Sequence, residues 1–201
     1  VDVSIRIKAA PPMNLPSEQE DHIEQDAYWK LHYGELKIKV FAPKYYYSRN
    51  QKKDEYSYKI VQSKTYDLSD FFFEDIKKIF DKLPFKPELI VVAPASQVNS
   101  FSPTLLKLGE KLSRELGIPN ENILTRSVFR KKMIMCKDSE ERFQAVKDTL
   151  RLTDNPKNKR IVLLDDTRTS GVSLLECAKV LFGAEAEDVI AVCLGINKLG
   201  G

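Results

Sequence analysis

Cysteine is scarce in this chain: Cys136, Cys177 and Cys193 are the three in 201 residues, and no two stand at CxxC spacing. That excludes a disulfide framework and a cysteine zinc site, and makes a reducing compartment the expectation. Histidine is scarcer still. His22 and His32 have no ligand spacing to each other or to a cysteine, so neither metal binding nor general-base chemistry is written in imidazole. No apolar run approaches the roughly 18–20 residues of a membrane span; the longest is Val189 to Ile196. The first residues lack the charged-then-apolar layout of a secretory signal, and a cytoplasmic protein without a membrane partner is expected. Neither sign of charge dominates. Thirty-two Lys and Arg against 29 Asp and Glu leave +3, which suits an anionic ligand without demanding nucleic acid. Eight Gly and ten Pro, with no internal repeat, exclude collagen-like and low-complexity chains.

What is present is an ordinary globular composition, 42% hydrophobic and 30% charged, long enough for one large domain or a core with an appendage. The second half alternates short β-branched runs with helical patterns, the layout of a parallel α/β sheet. Leu89 to Ala93, Asn122 to Val128, Ile161 to Leu164 and Val189 to Leu194 read as strands. Ser102-Pro103 opens a helix that Gly117 stops; Ser139 to Leu152 and Ser173 to Phe182 read as two more. The first 85 residues follow another pattern. A strand is expected over Val1 to Lys8, a helix from Ser17 to Gly34, strands over Glu35 to Phe41 and Tyr56 to Gln62, and a helix over Leu68 to Leu83. The expectation is therefore an N-terminal α+β cap over residues 1–85, packed on an α/β core over residues 86–201 whose parallel sheet is flanked by helices.

One segment carries the chemistry: Ile161-Val162-Leu163-Leu164-Asp165-Asp166-Thr167-Arg168-Thr169-Ser170-Gly171-Val172-Ser173. An apolar strand delivers two carboxylates to its carboxyl end, and a hydroxyl-rich loop with one glycine then opens a helix. Backbone N–H groups at a helix start form an anion site, to which Thr169, Ser170 and Ser173 add hydroxyl donors, while Gly171 lets the backbone come close. Carboxylates facing a phosphate would repel it, so the pair is expected to accept hydrogen bonds from hydroxyls or to hold a divalent cation. A phosphorylated sugar meets both demands. A plain strand-to-helix turn with a Ser or Thr cap is the simpler account. Yet it leaves an acid pair, four hydroxyls and a glycine within nine residues unexplained.

At these residues the sequence resembles the type I phosphoribosyltransferases. Leu163 to Ser173 looks like their motif for 5-phosphoribosyl 1-pyrophosphate (PRPP): apolar strand, two acids, two variable positions (Thr167 and Arg168), a Thr/Ser pair, Gly, a variable residue and Ser. The resemblance implies that Asp165 and Asp166 take the ribose hydroxyls and Thr169, Ser170, Gly171, Val172 and Ser173 cradle the 5′-phosphate, with Thr167 and Arg168 also counted among the PRPP-binding residues. Magnesium would accompany the diphosphate, with Asp165 and Asp166 as its protein-side ligands if any. The order Ile123-Leu124-Thr125-Arg126, Glu141-Arg142-Phe143, the acid-pair strand and Leu175-Glu176-Cys177-Ala178 resembles the ComF-like group, over roughly residues 88–198. The family commonly dimerises, so a homodimer is implied.

Two departures stand out. ComF-like proteins often carry an N-terminal cysteine zinc site, and here no cysteine precedes Cys136. The family's pyrophosphate turn usually includes a basic residue. Here Ala93-Pro94-Ala95-Ser96-Gln97-Val98-Asn99-Ser100-Phe101-Ser102 has none, leaving Ala95, Ser96 and Gln97 as neutral donors. Hypoxanthine-guanine enzymes have an acid where Thr169 stands, which disfavours a 6-oxopurine. Arg126, Arg130, Lys131 and Lys132 lie where the family has a mobile loop, and Arg130 and Lys131 are the candidates to stabilise departing pyrophosphate. A solvated basic strand end explains them equally well.

Elsewhere, Lys44 to Lys53 interleaves cations with three tyrosines, which suits single-stranded nucleic acid, although tyrosines on a packed face explain it more simply. The implied function is phosphoribosyl transfer from PRPP to a nitrogenous base, with pyrophosphate released. The rival from another class is a non-catalytic PRPP- or nucleotide-sensing, ComF-like module associated with nucleic acid. A generic binder of ribose 5-phosphate ligands is the third reading.

Overall fold

The computed structural model describes residues 23–31, 34–47, 54–127, 149–169 and 171–197. Among these residues the chain forms β1 (Ile23–Leu31), β2 (Gly34–Ala42), β3 (Lys44–Tyr46), α1 (Glu55–Gln62), α2 (Ser69–Phe80), β4 (Leu89–Val92), α3 (Pro103–Leu116), β5 (Leu124–Arg126), β6 (Leu150–Leu152), β7 (Arg160–Arg168), α4 (Val172–Gly183) and β8 (Asp188–Asn197). The main sheet has the order β1-β2-β8-β7-β4, with β3 also pairing β8. Strands β4, β7, β8, β2 and β3 run parallel; β1 closes the edge as an antiparallel hairpin with β2.

Period-two alternation sorts the sheet's side chains into two cores. Val91, Leu163, Ala191 and Val40 face α4 and the β5-β6 pair, through Leu174, Leu175, Ala178, Leu181 and Leu124. Val92, Leu164, Val192 and Phe41 face α1, α2 and α3, through Ile60, Phe72, Ile76, Leu105 and Leu108. The result is a mixed α/β protein with a mainly parallel central sheet covered on both faces, which is why its strands read as continuous apolar runs.

Several sequence expectations need correction. Residues 23–31, expected to be helical, form a strand: Ile23, Ala27, Trp29 and Leu31 share one parity of the chain, and β2 supplies a ladder along the whole segment. The expected strand Tyr56–Gln62 is helix α1. The overlooked signal is Asp54, whose Oδ1 accepts from the Ser57 N–H at 2.7 Å, with Tyr56 and Ile60 four residues apart on the buried side. The second expected core strand is β5. It stands outside the main sheet and pairs antiparallel with β6, whose residues 150–152 were expected to end a helix.

Phe41, Tyr46, Ile60 and Phe72 share one apolar cluster with Ile90, Val162 and Val192, because β2 and β3 extend the sheet beyond β8. The expected strand Val1 to Lys8, residues 17–22, and most of the expected helix Ser139 to Leu152 lie outside the described residues.

Close packing at one point depends on a missing side chain. A Cβ on Gly195 would come within 2.7 Å of Ile60 Cδ1 and 3.2 Å of Tyr46 Cδ1, so glycine lets α1 and β3 close on β8 beside the site described next.

Candidate functional site

Strand β4 pairs β7 from Leu89↔Ile161 to Val92↔Leu164, so Asp165 to Arg168 project past that ladder at the carboxyl end of the sheet. Parallel register thus puts the turns after β4 and after β7 side by side, where open α/β sheets bind ligands. Asp165 and Asp166 are both partly exposed. Asp165 Oδ1 accepts from the Asp166 N–H at 2.8 Å, and Asp166 Oδ1 accepts from the Thr167 hydroxyl at 3.1 Å. These bonds fix the carboxylates against the strand end.

Two residues that sequence reasoning did not place at the acid pair stand beside it. Lys64, in the turn after α1, places Nζ 2.9 Å from Asp166 Oδ2. Asp166, with weaker help from Asp165, holds the Lys64 pKa above its ordinary value against the opposing effect of burial. Tyr46 of β3, itself buried, has its hydroxyl 3.0 Å from Thr169 Oγ1 and so braces the loop. The tyrosine run was the available signal for Tyr46. Lys64 had none, because its position follows from a helix read as a strand.

The hydroxyl-rich loop divides in use. Thr169 is exposed and Ser173 partly exposed, while Val172 is buried. Gly171 starts α4 with φ 79°, the left-handed region that glycine occupies without strain. Arg168 is 5% exposed, and desolvation lowers its pKa; it belongs to the interior. Below the pair, burial pushes the Cys193 thiol well up, with Asp165 and Asp166 adding to the shift. Ser170, Arg130 and Lys131 lie outside the described residues.

The turn after β4 is built differently. Ala95 and Ser96 are partly exposed and Gln97 is exposed; the Ala95 N–H donates to the Ser100 carbonyl at 2.8 Å. Behind it stands Arg126, expected in a mobile loop or at a solvated basic strand end but in fact 1% exposed at the end of β5, a correction that follows from its partners. Its Nε donates to the Ala95 carbonyl at 2.9 Å, and its Nη1 donates to Thr149 Oγ1 and lies 3.5 Å from Glu176 Oε2. The Thr149 hydroxyl donates to Glu176 Oε1 at 2.8 Å. A buried cation is tolerated only when paired and hydrogen-bonded, and here the pairing ties β5, residue 149, α4 and the Ala95 turn together.

Tyr45 and Tyr46, candidates for base stacking, lie in β3 and pack on the two cores, which leaves the plain packing account for both. Residues 48–53 of that stretch lie outside the described residues. Among the described residues no helix is long and apolar enough to cross a membrane, and no group of three or more His, Cys, Asp or Glu is placed to hold a metal ion. The open groove beside Leu152, Asn155 and Glu185 lies at the far end of α4, away from the acid pair.

No protein-family model matches the chain, and no curated protein does. Similar solved structures are a purine phosphoribosyltransferase from Pyrococcus horikoshii (20% identity, TM-score 0.42, 64% of this chain and 73% of that one) and a hypoxanthine phosphoribosyltransferase from Staphylococcus aureus (11%, 0.42, 67% and 68%). A third is a Leishmania tarentolae HGPRT-ase in complex with GMP (13%, 0.38, 69% and 74%).

Proposed function

We propose that this chain binds PRPP at the carboxyl end of β7 and β4 and transfers its phosphoribosyl group to a nitrogenous acceptor, releasing pyrophosphate. One observation carries the reading: a partly exposed acid pair at the end of a buried parallel strand is followed at once by a hydroxyl-bearing turn and a helix that starts at glycine. The acids accept the ribose hydroxyls, and a 5′-phosphate meets backbone N–H groups and hydroxyls at the helix start. In transfer the acceptor nitrogen forms a bond to C1 as the bond from C1 to the pyrophosphate oxygen breaks, and pyrophosphate leaves with the electron pair. Held geometry and stabilisation of charge on the departing group are what the residues supply.

The turn Ala95-Ser96-Gln97 offers neutral donors to pyrophosphate, and Arg130 and Lys131 are proposed to close over it. Asp165 and Asp166 alone make no metal cage, since Asp166 already bonds Lys64 and Thr167 and no third ligand stands with them among the described residues. Magnesium in this reading travels with the diphosphate, where it neutralises charge, and the protein's contribution does not depend on holding it. The ComF-like subgroup, a homodimer and a cytoplasmic location belong to the same proposal.

A non-catalytic, PRPP- or nucleotide-sensing role has a specific observation in its favour: the Ala93–Ser102 turn has no Lys or Arg, and the arginine behind it is buried against Glu176. Calorimetric titration of PRPP with and without magnesium, beside an Asp165→Ala/Asp166→Ala variant, tests the common ground of both readings. Binding by the wild type and loss in the variant is the expected result; no wild-type binding would overturn it. A screen of acceptor bases for pyrophosphate release then separates transferase from sensor.

A further inference from the structure

The acid pair has a partner outside its own segment, and that partner's backbone is anchored. The Ser102 hydroxyl, at the start of α3, donates to the Ser63 carbonyl at 2.7 Å; the Thr104 hydroxyl donates to the Tyr66 carbonyl at 2.6 Å and accepts from the Leu68 N–H at 2.9 Å. The turn carrying Lys64 is therefore fastened to the first turn of α3, which leads directly out of the Ala93–Ser102 turn. Only the four-carbon side chain is left to move. The Lys64 side chain, 58% exposed, bonds Asp166, whose side chain is 19% exposed, so the lysine reaches the acid from the solvent side.

This arrangement sets a condition on any ligand. A ribose hydroxyl bound at Asp166 Oδ2 competes with Lys64 Nζ, 2.9 Å away, for that oxygen's lone pairs and charge. A ligand with a 5′-phosphate alone weakens that ion pair and gives the ammonium nothing in return. A ligand with a second anionic group on the far side of the sugar, toward the β4 turn, exchanges one ion pair for another.

Building on the function proposed above, we infer that Lys64 is a specificity-determining residue: it covers Asp166 until a second anion draws it away, so the site prefers a ribose phosphate with two anionic groups to one with a 5′-phosphate alone. The same cation supplies the positive charge that the Ala93–Ser102 turn lacks.

The test is titration of PRPP and of ribose 5-phosphate, each with magnesium at constant ionic strength, into the wild type, Lys64→Met and Lys64→Arg. In Lys64→Met, PRPP affinity is expected to fall about tenfold while ribose 5-phosphate affinity holds or rises a few-fold, as expected for loss of a charge-assisted contact to one ligand alone. Lys64→Arg keeps most of the wild-type preference. Equal weakening of both ligands in Lys64→Met, or an unchanged ratio, overturns the inference while leaving PRPP binding standing. A wild type that binds neither ligand overturns the underlying reading and this inference with it.

Discussion

The turns after β4 and β7 lie side by side at one end of the sheet, and each leads into a helix, yet they solve the helix start in opposite ways. Helix α3 closes its own first turn: Ser102 Oγ accepts from the Leu105 N–H at 3.3 Å, and Pro103, at the first helical position, has no N–H to satisfy. Helix α4 begins at Gly171, which brings no hydroxyl to the task. The first turn is a structural joint, braced by Arg126 from behind and fastened to the Lys64 turn from the side. The second keeps its polar groups at the surface. Adjacent turns of equal topology thus differ in build, one holding position and the other presenting polar groups, and Arg126 behind the first is committed to Glu176.

The largest expected effect lies in the braced turn. Removing one partner of the buried pair with Glu176→Ala leaves Arg126 uncompensated and is expected to lower stability by about 3–5 kcal/mol. Replacing both, as Arg126→Met/Glu176→Met, should cost clearly less, and denaturant midpoints of the two proteins check the difference. If the double variant were the weaker one, the pair would not be the brace described here. The open turn answers next, in binding rather than folding. Asp166→Ala removes acceptors from the proposed ribose site and is expected to weaken PRPP by roughly 10- to 100-fold, the range of hydrogen bonds to a charged group, with little change in melting temperature.

Smaller effects sharpen the contrast. Ser102→Ala removes both the α3 cap and the bond to the Ser63 carbonyl; a loss of about 0.5–2 kcal/mol in thermal unfolding is expected for a cap of this type. Tyr46→Phe deletes the hydroxyl beside Thr169 and should cost about 1 kcal/mol in ribose 5-phosphate affinity, measured by calorimetry, without altering the preference proposed for Lys64. Least visible is Cys193. Burial and two neighbouring carboxylates raise its pKa, so the thiolate is disfavoured throughout the neutral range. Peptide mapping after alkylation of the native protein at pH 8 should find it unmodified; rapid modification would mean that the sheet end opens.

Much of the core was legible because its signals are local. The acid pair, the hydroxyl run and Gly171 sit within nine residues, and the β-branched runs of β4, β7 and β8 identify a doubly covered parallel sheet by composition alone. Ser102-Pro103 and Gly117 mark the ends of α3 where the structure has them. Helix α1 was lost because tyrosine and β-branched residues imitate a strand in a short window, and β1 because a nine-residue segment can satisfy both periods when its partner is unknown.

What the sequence by itself determined is the chemistry of the β7 turn: which groups it offers, and that they follow a buried strand. Tertiary structure alone decided their neighbours. Lys64 is 102 positions from Asp166, Tyr46 is 123 from Thr169 and Arg126 is 50 from Glu176, and each pair meets because sheet order and helix packing bring distant segments to one end of the strands. A charge pattern read along the chain cannot reveal such pairs, since burial and distance in space, not separation in sequence, fix whether a cation binds a ligand, covers an acid or braces a turn.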